Sequence, residues 1–128
     1  MSPASTYHGL LQSRLVKRLA ELPGETIVEA PVSTSLGVLV ADIAWAPADF
    51  VISHRDETPL AIAPALCIEV ASPSNSLRGL REKMDAYLAA GTTEAWIVFP
   101  QSKRIEYYGR SGTMTASAMG VDLTGLFD

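Results

Sequence analysis

The stretch from residue 65 to residue 99, ALCIEVASPSNSLRGLREKMDAYLAAGTTEAWIVF, decides the fold because it predicts a strand, a helix and a second strand in succession. The apolar run Ala65–Ala71 predicts the first strand, and the polar residues after it favour a turn and a helix N-cap. The helix Ser76–Ala90 is predicted from an apolar stripe at helical spacing, which consists of Leu80, Met84, Tyr87 and Leu88. Gly91 caps that helix, and Ala95–Phe99 predicts the second strand. Because such a crossover is right-handed, the two strands should pair in parallel.

Upstream of this unit, the sequence predicts one helix and two neighbouring strands. Apolar residues recur at helical spacing through Tyr7–Leu22, and Pro23-Gly24 stops that helix. Thr26–Val32 and Val38–Trp45 are rich in β-forming residues and predict the two strands. The segment Ala48–Ala63 is interpreted as a connection of low structural content.

Downstream, Arg104–Tyr108 predicts a hairpin partner for the preceding strand, and Thr113–Ala118 is a weaker candidate strand. This order of elements predicts a mixed β-sheet flanked by helices, in the α/β or α+β class. The chain has the length of one domain, so residues 1–128 are predicted to form a single domain.

The composition excludes several classes of protein. Hydrophobic residues make up 48% of the chain and charged residues 19%, which excludes a largely disordered protein. The one cysteine, Cys67, lies in an apolar run, so neither a disulfide nor a zinc site is expected. The net charge of −4 argues against a protein that coats nucleic acid without specificity. No apolar run approaches the roughly 20 residues that cross a bilayer, and residues 1–10 lack a secretory pattern. We therefore expect a cytoplasmic protein that does not bind membranes.

Two acids stand inside otherwise apolar strands, Asp42 in VLVADIAW and Glu69 in ALCIEVA. Burying an unpaired charge there would cost several kcal/mol, so each acid needs a partner. A divalent cation such as Mg²⁺, which takes oxygen ligands, would be a partner for both. The alternative is that each acid points to solvent or pairs separately with an arginine such as Arg55 or Arg78.

Lys83 is the third candidate, because it lies on the helix that follows the Glu69 strand. Helical spacing places it beside Leu80 and Tyr87, at the edge of the apolar stripe. Its ammonium can then reach toward Glu69 to position a water or to stabilise charge on a phosphate. The alternative is a surface lysine with no such role.

These motifs together resemble a known family. Residues 68–74 read IEVASPS, Lys83 and Tyr87 follow on the helix, and residues 89–98 read AAGTTEAWIV. The combination closely resembles the Uma-two family, a group of bacterial proteins in the PD-(D/E)XK class of restriction endonucleases. Asp42 fits that family's Pro-Asp strand and His8 fits its amino-terminal helix, so the resemblance covers about residues 8–108.

The resemblance implies a restriction-endonuclease-like core in which Asp42 and Glu69 bind Mg²⁺ or Mn²⁺ and water attacks a DNA phosphodiester. The standard motif has a lysine two positions after the second acid, where this chain has Ala71. Lys83 is the implied replacement. Tyr87, one turn further along, either supports Lys83 or packs in the core.

Three positions depart from the family pattern. The chain has Ala41 where the family has proline, and Gly79 and Phe99 where it has aspartates. Gly79 removes a carboxylate from near the predicted site, and a glycine inside a helix costs about 1 kcal/mol relative to alanine.

Three hypotheses follow. The first is a metal-dependent DNA endonuclease with catalytic residues Asp42, Glu69 and Lys83, in which the Val70 carbonyl is a third metal ligand. The second is a module of the same fold that has lost catalysis and binds DNA or protein, which Gly79 and the acidic net charge favour. The third is a structural dimeric domain with solvated acids. A homodimer also suits a small nuclease that cuts two strands. The histidines His8 and His54 are placed outside the site, because nothing near them completes a metal site.

Overall fold

A mixed sheet of six strands, in chain order from β1 to β6, forms the centre of the computed structural model, which describes residues 5–128. The strands are β1 Glu25–Thr34, β2 Gly37–Ala46, β3 Leu66–Val70, β4 Glu94–Phe99, β5 Arg104–Gly109 and β6 Gly112–Met114. The helices are α1 Thr6–Leu19, α2 Ala48–His54 and α3 Leu77–Ala89. β3 and β4 pair in parallel and the other neighbours are antiparallel, so the predicted mixed sheet is confirmed. Residues 1–4, which entered the expectation about a secretory signal, lie outside the described part.

Each face of the sheet carries its own hydrophobic core. On one face, α1 packs Leu11, Leu15 and Leu19 against apolar residues of β2, β3 and β4. On the other face, α3 packs its apolar stripe against β1, β2, β3 and β4. Cys67 lies in this second core and is buried, as predicted. Both helices therefore bury one side only, which is the arrangement that amphipathic helices adopt on a sheet.

A buried carboxylate, that of Glu94, fastens the carboxyl-terminal segment to the sheet. Glu94 Oε1 accepts hydrogen bonds from Trp96 Nε1 at 2.9 Å and from Ser117 Oγ at 2.7 Å, and Oε2 accepts one from Ala118 N–H at 2.8 Å. Further along, Arg14 and Arg18 of α1 donate to backbone carbonyls of the same segment. Glu94 thus has a structural role in this chain, because it holds Ser117 and Ala118 at the start of the segment whose Leu126 packs in the α1 core.

Two features of the predicted secondary structure are wrong. The segment Ala48–Ala63 contains the helix α2, and Leu60 pairs with β1 through a bridge to Val32. No residue of α2 is buried, so the helix leaves no apolar stripe in the sequence. The candidate strand Thr113–Ala118 is reduced to β6, since its last residues contact Glu94 instead of a strand.

Strand β2 changes the face it presents at Asp42. Ala41 belongs to the α3 core and Ile43 to the α1 core, although alternate residues of a regular strand share a face. On β1, Glu29 lies between residues paired with Ile43 and Ala41, and its φ of 51° is in the left-handed region. Such a backbone conformation is uncommon for a residue other than glycine and is found preferentially at functional sites. The β1–β2 hairpin therefore twists at Asp42, so that the residues on either side of this acid face opposite cores.

Within residues 5–128, no helix is both long and apolar enough to cross a membrane.

Candidate metal centre

The two predicted acids meet where the ladder between β2 and β3 ends. The last paired residues are Ile43 and Ile68. One position further along each strand, side chains replace the backbone partners. Asp42 N–H donates to Glu69 Oε2 at 3.3 Å, and Val70 N–H donates to Asp42 Oδ2 at 2.7 Å. The two carboxylates are therefore neighbours at the point where the strands part.

Helix α3 brings Lys83 to this pair. Its Nζ lies 3.2 Å from Glu69 Oε1. Glu69 is only 4% exposed, so the alternative that this acid points to solvent is wrong. Arg78 forms an ion pair with Glu82 on the surface of α3, so it is not the partner of either acid. The structure thus brings Asp42, Glu69 and Lys83 into one cluster.

Burial dominates the electrostatics of the two acids. It raises the pKa of Asp42, against the hydrogen bond from Val70 N–H and the nearby His8 and Lys83, which lower it. Burial also raises the pKa of Glu69, and the Asp42 carboxylate raises it further, whereas Lys83 lowers it. The two largely buried carboxylates thus share the charge of one ammonium, that of Lys83. The negative charge that remains favours the binding of a further cation.

His8 reaches the same point from α1. Its Nε2 lies 2.9 Å from the carbonyl oxygen of Val70 in a buried contact. Because a carbonyl only accepts, Nε2 must carry the proton and donate. The other ring nitrogen, Nδ1, is buried and has no hydrogen-bond partner among the described residues. The prediction that His8 lies outside the site is therefore wrong, because His8 contacts the backbone of the residue that follows Glu69. His54 does lie elsewhere, on α2, where it pairs with Glu57 at 2.7 Å.

Tyr87 closes the inner side of the cluster. The side chain is fully buried in the α3 core. Its hydroxyl makes no hydrogen bond with residues 5–128. Burial raises the pKa of Tyr87, and the neighbouring charge of Glu69 raises it further. Core packing, one of the two roles considered for Tyr87, is observed, and its hydroxyl lies near Glu69.

A family model described as "Putative restriction endonuclease" (Uma2) matches residues 1–122. The chain belongs to the Uma2 family. A crystal structure described as "a putative nuclease belonging to DUF820 from Anabaena variabilis" superposes with a TM-score of 0.81 at 18% identity, over 98% of this chain and 83% of that one. This likeness confirms the predicted nuclease-like fold. No curated protein matches the chain.

Two of the positions that depart from the Uma2 pattern, Gly79 and Phe99, have a local role in this chain, and so does Ala71, which departs from the standard nuclease motif. Gly79 lies in the first turn of α3, where its N–H donates to the Oγ of the N-cap Ser76 at 3.0 Å. The penalty expected for a glycine inside a helix is therefore reduced, because the position is next to the cap. Ala71 N–H continues the sheet by donating to the carbonyl of Val98, and Phe99 lies under Arg104, whose Cζ is 4.2 Å from the ring centroid.

The donor set of this Uma2 protein fits Mg²⁺ or Mn²⁺ better than zinc. In the described part of the chain, no three histidine, cysteine, aspartate or glutamate side chains are grouped to hold a metal. The two carboxylates and the Val70 carbonyl offer oxygen only, and Mg²⁺ typically takes one or two carboxylates and keeps several waters. The Val70 oxygen accepts from His8 and has a second lone pair. Asp42, Glu69 and Val70 would hold such an ion.

Proposed function

We propose that this protein hydrolyses phosphodiester bonds of DNA and that the reaction requires Mg²⁺ or Mn²⁺. The observation that supports the proposal most directly is the pair of buried carboxylates, Asp42 and Glu69, at the open end of the β2–β3 ladder with Lys83 on one of them. Membership of the Uma2 family and the nuclease-like fold agree with it.

Each residue has a distinct part in the proposed reaction. Asp42, Glu69 and the Val70 carbonyl hold the cation, which when bound supplies positive charge to the phosphate and acidifies a water. The Lys83 side chain is 35% exposed, so its ammonium can contact both Glu69 and a substrate that arrives from solvent. There it stabilises negative charge that develops on the phosphate, or orients the attacking water. Burial of Glu69 strengthens these interactions, because water does not screen them.

A binding module without catalysis is the second candidate. The first turn of α3 carries no acid, because Gly79 replaces the aspartate of the family pattern, and the net charge is −4. A cation site that binds metal without cleaving DNA would favour this candidate.

The test combines calorimetric titration with Mg²⁺ and Mn²⁺ and a plasmid-nicking assay on the same samples. Asp42→Ala/Glu69→Ala should abolish both metal binding and nicking. The matched control is Glu21→Ala/Asp56→Ala, which removes two exposed acids and the same charge. Nicking that survives in the first double variant would overturn the proposed site. Metal binding by the wild type without any nicking would support the binding module.

The same proposal includes two properties of the whole molecule. We expect a homodimer, because a symmetric pair is the simplest way for a small nuclease to cut both strands, and a cytoplasmic location. Analytical ultracentrifugation across a concentration series tests the first, and cell fractionation tests the second.

A further inference from the structure

A cleft of about 590 Å³ opens beside the proposed metal centre, past the carboxyl ends of the parallel strands β3 and β4. Ala71 and Ser72, which follow β3, line one wall, and Phe99 and Gln101 at the end of β4 line the other. In sheets with parallel strands, the crevice outside the carboxyl ends is the preferred place for a ligand. We call this cavity the terminal cleft. Its volume lies in the range of small-ligand pockets, about 300–1,000 Å³.

The terminal cleft is electrostatically suited to an anion, although the chain as a whole is acidic. Its lining includes Arg104 and His8 but no aspartate or glutamate. It also includes Ser5, the N-cap of α1, and Leu77, the first residue of α3. Neither helix has an acid in its first turn, so the partial positive charge of both N-termini is not neutralised there. Arg104 also pairs with Glu106 at 2.7 Å, so a phosphate group would share the charge of the arginine with that acid and would meet the partial charge of both helices.

The same cleft carries the groups that recognise a nucleobase. Phe99 and Arg104 are stacked, with the guanidinium carbon 4.2 Å from the ring centroid, and both residues line the cleft. Unstacked bases bind to such aromatic and guanidinium planes. Gln101 adds a side-chain amide that can donate to and accept from the edge of a base, and Asn75 adds an NH₂ group that can donate. Asn75 is fixed in place, because its Oδ1 accepts hydrogen bonds from Ser72 N–H and Ser72 Oγ.

His8 connects this cleft to the proposed metal centre. It lines the cleft, and its Nε2 donates to the carbonyl of Val70, the neighbour of Glu69 in sequence. An occupant of the cleft would therefore lie next to the phosphate at which the proposed metal centre would direct the attack of a water. We infer that the terminal cleft binds one unstacked nucleotide of DNA beside the scissile phosphate, so that the preferred substrate has unpaired nucleotides. The preference for a substrate rests on the proposed function, whereas binding of the nucleotide does not.

The first experiment tests the cleft without any cleavage. Thymidine 5′-monophosphate is titrated into the protein in a chelating buffer, with inorganic phosphate as a second probe, and binding is followed by amide chemical shifts. The nucleotide should shift amides of residues 71–80 and 99–104 and bind at least tenfold more tightly than phosphate. Phe99→Leu should weaken nucleotide binding at least fivefold, because it removes the stacking plane. Phe50→Leu on α2, which lies outside the cleft, should leave it unchanged.

The outcomes separate this inference from the proposed function. Equal affinity for phosphate and nucleotide, or no effect of Phe99→Leu, would overturn base recognition in the cleft.

A second experiment compares cleavage of a single-stranded oligonucleotide and its duplex with Mn²⁺ present. Wild type should cut the single strand with a lower KM, and Phe99→Leu should raise that KM more than it lowers kcat. Equal KM values for both substrates would overturn the substrate preference. Nucleotide binding in a protein that cuts neither substrate would leave the cleft standing and would overturn the nuclease.

Discussion

The Lys83 ammonium lies 3.2 Å from Glu69 Oε1, although the lysine belongs to α3 and the acid to β3. Helix α3 therefore supplies the cation to a buried acid of β3, whereas the position two residues after that acid, just past the end of β3, is Ala71. The carboxylates and the ammonium come from different elements, so either can be replaced without changing the element that carries the other.

Removal of the ammonium should reduce cleavage and spare metal binding. In Lys83→Met the side chain keeps much of its length, and the proposed stabilisation of charge on the phosphate is lost. We expect kcat to fall about 100-fold, the order found when one such donor is removed from an active site. Affinity for Mn²⁺ should stay the same or rise, because Lys83 no longer competes for Glu69. Lys17→Met, an exposed lysine of α1, is the control. Equal rates in the two variants would exclude Lys83 from catalysis.

Asp42→Asn should stabilise the metal-free protein while it abolishes metal binding. Burial raises the pKa of both acids, so their contribution to stability is present at low pH and is lost as pH rises through the raised values. Asparagine keeps an oxygen for Val70 N–H and removes one of two neighbouring charges. Thermal melts in chelator at pH 8 should show a rise of about 4 °C, or about 1 kcal/mol. The difference should shrink as pH falls and vanish below 3.8, the ordinary pKa of aspartate.

Mn²⁺ should reverse the order of the melting temperatures of the wild type and Asp42→Asn. A ligand that binds the folded state raises its stability, so Mn²⁺ should raise the melting temperature of the wild type and not that of Asp42→Asn. Asp56→Asn, at an exposed position, should behave like the wild type in both buffers. If Asp42→Asn melts below the wild type at pH 8 in chelator, the acid stabilises the fold and the interpretation of its burial is incorrect.

Glu106 on β5 gives a pH dependence of the opposite sign. Partial burial alone would raise its pKa, but hydrogen bonds from Arg81, Tyr108 and Arg104 outweigh this and lower the pKa to about 2. A lowered pKa contributes stability above the ordinary value, and that stability is lost as pH falls from about 4.5 toward 2. Because the two arginines are half-exposed, solvent screens the network, and we expect Glu106→Gln to cost about 1 kcal/mol at pH 7.

Urea unfolding of the Glu106 variant at several pH values measures this effect. The difference between Glu106→Gln and the wild type should shrink steadily below pH 5 and be close to zero at pH 2. A difference that does not change with pH would mean that the glutamate acts through packing instead of charge.

The unit from β3 to β4 was predictable from the sequence because its signals are local. The apolar run around Glu69, the stripe that includes Tyr87 and the cap at Gly91 each fall within one element. Asp42 and Glu69 were predictable as a pair for a similar reason, since an acid inside an apolar strand is unusual wherever it occurs. In both cases, the residues next to each position in the sequence are sufficient to predict its structure.

The features that were missed depend on contacts between distant parts of the chain. His8 and Val70 are 62 residues apart, and a lone histidine on a helix gives no sign of which carbonyl it will meet. The attachment of Ser117 to Glu94 is of the same kind. Helix α2 was missed for a different reason, because a helix that buries nothing has no apolar periodicity.

His8 should tune the metal centre through the Val70 carbonyl. His8→Phe keeps a ring in the buried position and removes the donor, so the carbonyl is no longer held. Losing a group that orients a metal ligand lowers metal affinity about 10- to 100-fold, and we expect the lower end for Mn²⁺ in calorimetry. The unpaired carbonyl also costs about 1–3 kcal/mol of stability, so the titration is run well below the melting temperature of the variant.

His8→Gln, whose amide can donate, should recover part of the affinity. His54→Phe should change nothing, since that histidine pairs with Glu57 on the surface. Unchanged Mn²⁺ affinity in His8→Phe would show that the Val70 carbonyl is not a ligand, and the proposed centre would then reduce to the two carboxylates.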